Sequence, residues 1–525
     1  MIRIASLPRL LLPLILAGAT LALRAADAPF QPKAEHVLLV IWDGMRPDFI
    51  NAQNTPNLQA LLERGTFFAN NHSFWPTTTE VNGTVLATGA FPARSHVVAN
   101  QEYRPDINPR GPVHTEDAET MRKGDELTGG KYLGVKTVAE VAHQAGQSTV
   151  VAGTKPVALI QDRAPERPAQ PRSATLFAGK TYPAALLDAI VAALGPNPPY
   201  KPDPTHPGPN TDENNWTTHA LLEHLWHDGV PRYSVLWLSD PDFPQHVSSP
   251  GAPAALTGIH DSDTNLGLVV ADLTKRGLLD KTDIFVVSDH GFSTIGRSVD
   301  PVKYYNEHGV TVSKQFASPP ANGQVMSVSV GGATGLYVIG HDAPTIAKLV
   351  DLLQQSDFAG PIFTRDALPG TFAINAAHLD SPAAPDIIFS FRWNDGANAV
   401  GAPGLITAEG KAGLGMHGSL SKFDIHNTLV AGGPDIRAGY RDEFPTGNID
   451  VAPTILHLLG LTSPNGVDGR VLTEALADTP LLTEKPVTKR LEASKDTHTW
   501  QQYLQTTSFA GRTYFDEGNA SSASH

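Results

Sequence analysis

Cysteine is absent from all 525 residues. Disulfide frameworks, thiolate metal sites and thiol nucleophiles are therefore excluded, and any bound metal must be held by imidazole nitrogen and oxygen ligands. A covalent nucleophile must be Ser, Thr or another oxygen or nitrogen group. Positive charge is also scarce, with 39 Lys and Arg against 53 Asp and Glu and a formal net charge of −14. Nonspecific nucleic-acid binding needs a basic footprint for phosphates, so this balance argues against a nucleic-acid polymer as partner. A small anion can still bind where metals supply the positive charge. Long apolar runs are missing too. Residues 10–23 (LLLPLILAGATLAL) are too few and too rich in small residues for a good membrane span, so no stable membrane insertion is expected. What is plentiful is histidine, at 20 residues, and glycine and proline, at 46 and 43, which imply long loops.

The short apolar run has a different use. Arg3 and Arg9 precede it, and Arg24 and the small stretch Ala25, Ala26, Asp27, Ala28 follow it. This is the pattern of a cleaved export signal over residues 1–28, which predicts an exported, soluble protein, most directly a bacterial periplasmic one. Cleavage after Ala28 satisfies the small-x-small rule but sets Pro29 beside the cut. An oxidising compartment permits disulfides without requiring them, because a chain of this length can bury a large core.

Residues 37–42 (VLLVIW) form a continuous apolar run ending at Asp43 and Gly44, as expected of a buried parallel strand feeding a loop at its carboxyl end. The pattern recurs at residues 148–152, 233–238, 284–287 and 428–430. Helical patterns lie between, at 55–64, 138–145, 184–194, 217–227, 261–277 and 450–459. Strand alternating with helix predicts an α/β fold with a mostly parallel central sheet covered by helices on both faces, and ligands bound beyond the strand ends. The pattern places one catalytic domain at 29–472, with surface excursions at 103–130 and 195–215 and a cap or lid region within 292–410. The 195–215 stretch carries seven prolines, too many for an interior element. Residues 473–525 read as a C-terminal extension with helix-like patches and a polar tail.

Chemistry-bearing residues gather at the strand ends. Asp240 and Asp242 follow one strand with His246 four residues beyond Asp242, Asp289 and His290 follow another, and Asp43 follows the first. With His417 in GLGMHGSL, three Asp and three His would serve two zinc-like ions, each taking three side chains plus a nucleophile or substrate oxygen. The alternative is a set of separate loop contacts. Residues 74–83 (FWPTTTEVNG) place hydroxyls at a helix start, where a cation could activate one and free amides would favour an anion. Thr also makes good N-caps, and three consecutive threonines leave the choice of nucleophile open. Trp42, Trp75 and Trp237 either line a cleft or simply pack. The glycine-rich segments lack P-loop and dinucleotide signatures, VNGTV is not a nucleophile elbow, and no Cys or Ser stands where a sulfatase would need one.

In order and approximate spacing, VIWDG, PTTTEVNG, PDFPQH, VVSDHG and GMHGS followed by NTLVAGGP resemble the alkaline phosphatase superfamily, specifically its type I phosphodiesterase and nucleotide pyrophosphatase branch, over residues 35–465. The resemblance implies that Asp43, Thr79, Asp289 and His290 hold one zinc ion, with Thr79 the nucleophile, and that Asp242, His246 and His417 hold the other. It implies that Asn100 donates to a nonbridging phosphoryl oxygen and that turnover passes through a phosphothreonine. Asp240 stays a neighbouring loop residue.

The chain departs from the branch at substrate-facing positions. Its nucleotide pyrophosphatases carry an aromatic residue after the threonine, where this chain has Glu80, which cannot stack on a base and repels anions. Related phosphomonoesterases and phosphonoacetate hydrolases use two basic residues separated by one, where GTKPVAL supplies Lys155 but has Val157 at the second position. A single positive charge favours a monoanionic diester over a dianionic monoester, although Arg163 could compensate. Glu80 and Lys155 are thus expected at the substrate, a small phosphorylated molecule. The expected activity is hydrolysis of small phosphodiesters or nucleotide pyrophosphate bonds. A phosphomonoesterase or phosphonate hydrolase of the same superfamily is the alternative enzyme, and a catalytically inactive secreted binding protein is the alternative of another class.

Overall fold

Apolar runs free of polar interruption become the middle of a large sheet in the computed structural model, which describes residues 31–163, 173–200, 207–495 and 500–522. The expected export signal at 1–28 lies outside the described residues, as do positions 201–206 of the proline-rich stretch. The sheet has nine strands: β1 (His36–Trp42), β2 (Gly65–His72), β3 (Thr149–Gly153), β4 (Ala174–Phe177), β5 (Lys180–Tyr182), β6 (Tyr233–Leu238), β7 (Thr282–Val287), β8 (Leu429–Gly432) and β9 (Tyr440–Gly447). Their spatial order is β9-β2-β8-β7-β1-β6-β3-β4-β5. β1 pairs in parallel with β6 and β7, and β3 in parallel with β6 and β4. β8 runs antiparallel between β7 and β2, and β5 antiparallel at the far edge. The expected mostly parallel α/β sheet is thus present. The run at 428–430 does form a strand, but a reversed one. β2 and β9, which the sequence patterns did not mark, are more polar and lie together at the other edge.

Alternate side chains of the central strands enter opposite cores. Leu38, Val40 and Trp42 pack with helices α1 (Pro56–Glu63), α3 (Thr211–His219) and α5 (Pro253–Lys275). The other face is covered by α2 (Thr79–Thr88), the helix Val138–Gln144 and α6 (Val451–Leu458). Because both faces are covered, Val37 to Trp42 are all essentially inaccessible, which is why this strand reads as unbroken hydrophobicity. α3 begins at Thr211 with Glu213 and Asn214 buried, so the excursion at 195–215 ends earlier than its composition suggested, once the prolines stop at Pro209.

Residues 292–410 build two further sheets. One has six strands between Val312 and Phe391, and the other joins Trp393–Ala397, Pro403–Ala408, Ser293–Ser298 and Gly415–Met416. The last of these returns the chain to His417. Helix-like patches beyond residue 472 are not borne out: β10 (Val487–Lys495), β11 (Trp500–Phe509) and β12 (Arg512–Ser522) form an antiparallel sheet. In β11, Trp500, Gln502 and Leu504 are buried while the residues between them are more exposed, a period of two that fits a half-buried strand. Among the described residues no helix is long and apolar enough to cross a membrane.

Candidate metal centre

Registry at the middle of the sheet brings three strand ends together. Trp42 of β1 is level with Leu238 of β6, and Ile41 with Val287 of β7, so Asp43, Asp242 and Asp289 emerge side by side. Gly44 makes the crowding possible. Its φ is +74°, and a Cβ there would stand 3.1 Å from the Asp242 backbone and 3.0 Å from Phe292. Asp242 opens the short helix α4 (Asp242–Val247), which sets His246 one turn on along the same face.

Six of the expected ligands converge as two triads. In the first, His290 Nε2 lies 3.6 Å from Asp43 Oδ1 and 3.3 Å from Asp289 Oδ2. In the second, Asp242 Oδ1 lies 3.1 Å from His246 Nε2 and 3.4 Å from His417 Nε2. The triads adjoin, since the His290 and His417 rings stack with centroids 3.6 Å apart. Thr79 Oγ1 stands 3.2 Å from His290 Nε2 at the first turn of α2. Its neighbours are placed differently: Thr77 Oγ1 donates to Ser419 O and accepts from Gly418 N, while Thr78 is the N-cap residue.

The donor set fits divalent cations. Asp43 Oδ1, Asp242 Oδ1 and Asp289 Oδ2 are buried without a hydrogen-bond partner, and these are the oxygens facing the triads. The opposite oxygens are engaged by protein. Trp237 Nε1 donates to Asp43 Oδ2 at 2.9 Å, and the Gly44 and His290 amides donate to Asp289 Oδ1 at 3.0 Å each. The three imidazoles set Nδ1 against the carbonyls of Gly291, Thr77 and Gly415, at 2.9, 2.8 and 3.3 Å. An Nδ1–H donated there leaves an Nε2 lone pair toward the triad, the tautomer a metal ligand requires. Burial pushes the His290 and His417 imidazoles down to about 3 and about 4, keeping both neutral. Burial, and for Asp43 the adjacent Asp289, holds the Asp43 and Asp289 carboxyls above the usual range, outweighing the nearby Lys155 ammonium.

Lys155, which follows β3, occupies the gap between the triads. Its Nζ is 2.9 Å from Asp43 Oδ2 and 3.0 Å from Asp242 Oδ2, and it sits 5.0 Å from the Phe243 ring centroid. Burial is the largest single influence on Asp242 and opposes its charge, but the Lys155 ammonium, His246 and His417 together outweigh it and hold that carboxyl well below the ordinary range. Asn100 Oδ1 accepts the Glu80 amide at 3.2 Å, so the amide nitrogen is the end that can donate to a ligand. Glu80 is buried, and burial together with Glu116 pushes its carboxyl well up.

Other residues considered from sequence lie away from the triads or support them. Asp240 accepts the Asn210 amide and is raised to about 7 by burial. Arg163 pairs with Asp125 and approaches Glu140. The three tryptophans are fully buried, so they pack, although Trp237 also orients Asp43. Sequence reasoning missed Asn448, whose Nδ2 donates to Asp289 O at 2.7 Å and Ser288 O at 3.2 Å. It lies 159 positions from Asp289, and no local pattern signals that contact.

Residues 37–419 match the sequence family described as type I phosphodiesterase / nucleotide pyrophosphatase. Human ectonucleotide pyrophosphatase/phosphodiesterase family member 5 is 22% identical over 463 residues, covering 86% of this chain and 80% of that protein. Human family member 7 is 22% identical over 467 residues, with 88% of each chain covered. Among solved structures, an inactive form of murine ectonucleotide pyrophosphatase / phosphodiesterase 5 in complex with AMP superposes with a TM-score of 0.59 at 16% identity. It covers 84% of this chain and 100% of that one, a likeness of fold.

Proposed function

The chain belongs to the type I phosphodiesterase / nucleotide pyrophosphatase family of the alkaline phosphatase superfamily, and on that premise we propose that it is an exported, periplasmic two-zinc phosphodiesterase acting on a small diester through a phosphothreonine. The observation that carries this reading is the pair of adjoining triads with the Thr79 hydroxyl against one of them. Asp43, Thr79, Asp289 and His290 would hold one ion, and Asp242, His246 and His417 the other. Two bound zinc ions would supply Lewis acidity at the threonine hydroxyl and at the departing oxygen.

Thr79 Oγ1 attacks phosphorus in line with the leaving alcohol, the P–O bond to that alcohol breaks, and a phosphothreonine that still carries the substrate's other alkoxy group, a diester of Thr79, remains. Water then cleaves the bond from phosphorus to Thr79 Oγ1, releasing the phosphomonoester and restoring the hydroxyl. Helix α2 presents Thr79 and its free N-terminal amides from one turn, where their partial positive charge favours an anion. Asn100 Nδ2 donates to a nonbridging oxygen, its orientation fixed by the Glu80 amide on Oδ1. Lys155 is engaged by two carboxylates, so it adds little positive charge toward a second phosphate anion, and this favours a diester over a monoester.

Hydrolysis of bis-p-nitrophenyl phosphate, p-nitrophenyl phosphate, a nucleoside triphosphate and phosphonoacetate by the zinc-loaded protein tests the reading. The diester should be turned over fastest, and a monoester rate exceeding it by a large factor would sink the diester assignment. Metal analysis should give about two zinc ions per chain. Thr79→Ala should retain them while losing more than roughly a thousandfold in kcat/KM. Full activity without Thr79 would refute the nucleophile, and a metal-free, inactive protein would support the binding-protein alternative.

A further inference from the structure

Four buried asparagines meet at the backbone of the loop that carries Asp289. Asn71 lies near the end of β2, Asn82 in α2, Asn427 ahead of β8 and Asn448 just past β9. Asn448 Nδ2 donates to Asp289 O at 2.7 Å and to Ser288 O at 3.2 Å, and it reaches Asn82 Oδ1 at 3.3 Å. Asn82 in turn clips the segment that leads into the nucleophile. Its Oδ1 accepts the Phe74 amide at 2.7 Å, and its Nδ2 donates to Phe74 O at 2.9 Å and Thr78 O at 3.2 Å. On the other side, Asn448 Oδ1 accepts from Asn71 Nδ2 at 3.1 Å and Asn427 Nδ2 at 3.0 Å, and Asn427 Nδ2 also donates to Ser288 O. Asn427 Oδ1 accepts from Asn71 Nδ2 at 2.7 Å, and Asn71 Oδ1 from the Thr446 hydroxyl at 3.0 Å. Each oxygen and nitrogen of the four side chains is thereby engaged.

Amides suit this place. Each both donates and accepts, and none adds to the repulsion among the three carboxylates of the adjoining triads. A buried network whose members are all satisfied holds one geometry. Here it holds two stretches of chain together: Ser288 and Asp289, which follow β7, and residues 74–78, which lead into α2. The Asn448–Asn82 contact is the bridge between them. Asn82 lies three positions after Thr79, so the two are neighbours on the surface of one helix. The bridge therefore fixes the nucleophile helix against the loop that supplies Asp289 and His290, and with it the 3.2 Å separation of Thr79 Oγ1 from His290 Nε2. Accepting the phosphodiesterase reading, we propose that Asn448 and Asn82 are positioning residues for the attack of Thr79, acting through the Asp289 loop and the start of α2 rather than on the substrate. Misplacing a reacting group by about 1 Å costs on the order of a hundredfold in rate, so the effect falls on kcat and spares substrate binding.

Steady-state kinetics of the zinc-loaded protein on bis-p-nitrophenyl phosphate test this in Asn448→Ser, Asn82→Ser and the double variant. Each single variant should lose about 100-fold in kcat, with KM within about threefold of wild type. Each should still hold about two zinc ions per chain. Because the two side chains act as one bridge, the double variant should be little slower than the worse single one, whereas independent losses would multiply. A role confined to stability predicts something else: lower thermal midpoints with kcat per folded, zinc-loaded chain unchanged. Should Asn448→Ser fail to fold, Asn82→Ser reads the bridge from the helix side. Wild-type kcat in the folded variants, a rise in KM that accounts for the loss, departure of zinc, or losses that multiply in the double variant would each overturn the proposal. A wild-type protein that hydrolyses no diester would instead remove the phosphodiesterase reading, and this proposal with it.

Discussion

Lys155 joins the two triads through the carboxylate oxygens that face away from them, Asp43 Oδ2 and Asp242 Oδ2. An ammonium so placed fixes the spacing of two acidic side chains and offsets their mutual repulsion, as outer partners of metal ligands do. Lys155→Met should therefore cost about 10- to 100-fold in zinc affinity or in kcat/KM at saturating zinc. A chelator titration followed by assay measures both, and an unchanged chelator midpoint with unchanged activity would show that the lysine does neither job. Asp442, outside both triads, tests the opposite situation. It is buried, accepts only the Phe444 amide, and is pushed up to about 7 by burial and by Glu474. The folded state thus holds a proton that an unfolded Asp releases near pH 4, so stability falls as pH rises from about 4 to 7. Asp442→Asn keeps the acceptor and removes the charge, and should stabilise by on the order of 2–4 kcal/mol at pH 8, with the gain vanishing near pH 4. Thermal midpoints at the two pH values check the sign.

Helix α2 meets the sheet through glycine. A Cβ on Gly83 would stand 2.8 Å from Val157 Cγ2 and 2.9 Å from Trp237 Cη2, closer than packed carbon atoms come. Trp237 in turn donates to Asp43. Crowding at one helix position is thereby transmitted to Asp43 of the first triad. Gly83→Leu should destabilise by about 1–3 kcal/mol and, by displacing the indole, weaken zinc binding as well. A variant that lost thermal stability while keeping wild-type chelator resistance would show that the indole merely packs.

Across the whole molecule, the C-terminal sheet ties parts distant in sequence. Trp500 Nε1 donates to Gly370 O, Gln502 exchanges hydrogen bonds with the Ile362 backbone, and Tyr514 donates to Asp450 Oδ2 beside α6. Trp500→Ala should cost roughly 3–5 kcal/mol. Leu491→Ala on the exposed strand β10 should stay within about 0.5 kcal/mol, and denaturation of the two variants side by side tests whether this sheet is structural. Its strands were misread as helix-like because their buried positions pack against residues far away in sequence, a partner that local composition does not reveal. The inner strands were legible for the converse reason: burial on both faces leaves an unbroken apolar run, as in β1 and β6, whatever the neighbours are. β2 and β9 at the edge carry polar residues and left no such trace. The candidate site divides the same way. Lack of cysteine, abundance of histidine and the residues following each strand determined the ligand types and their positions, because a strand's end is written next to the strand. Composition and spacing left open which of these residues share a triad and which threonine faces them; the family resemblance implied the grouping and Thr79, and the tertiary structure brings those side chains together and alone turns Lys155 to Asp43 and Asp242. Those are contacts across the sheet, set by strand registry and packing between residues far apart in the chain.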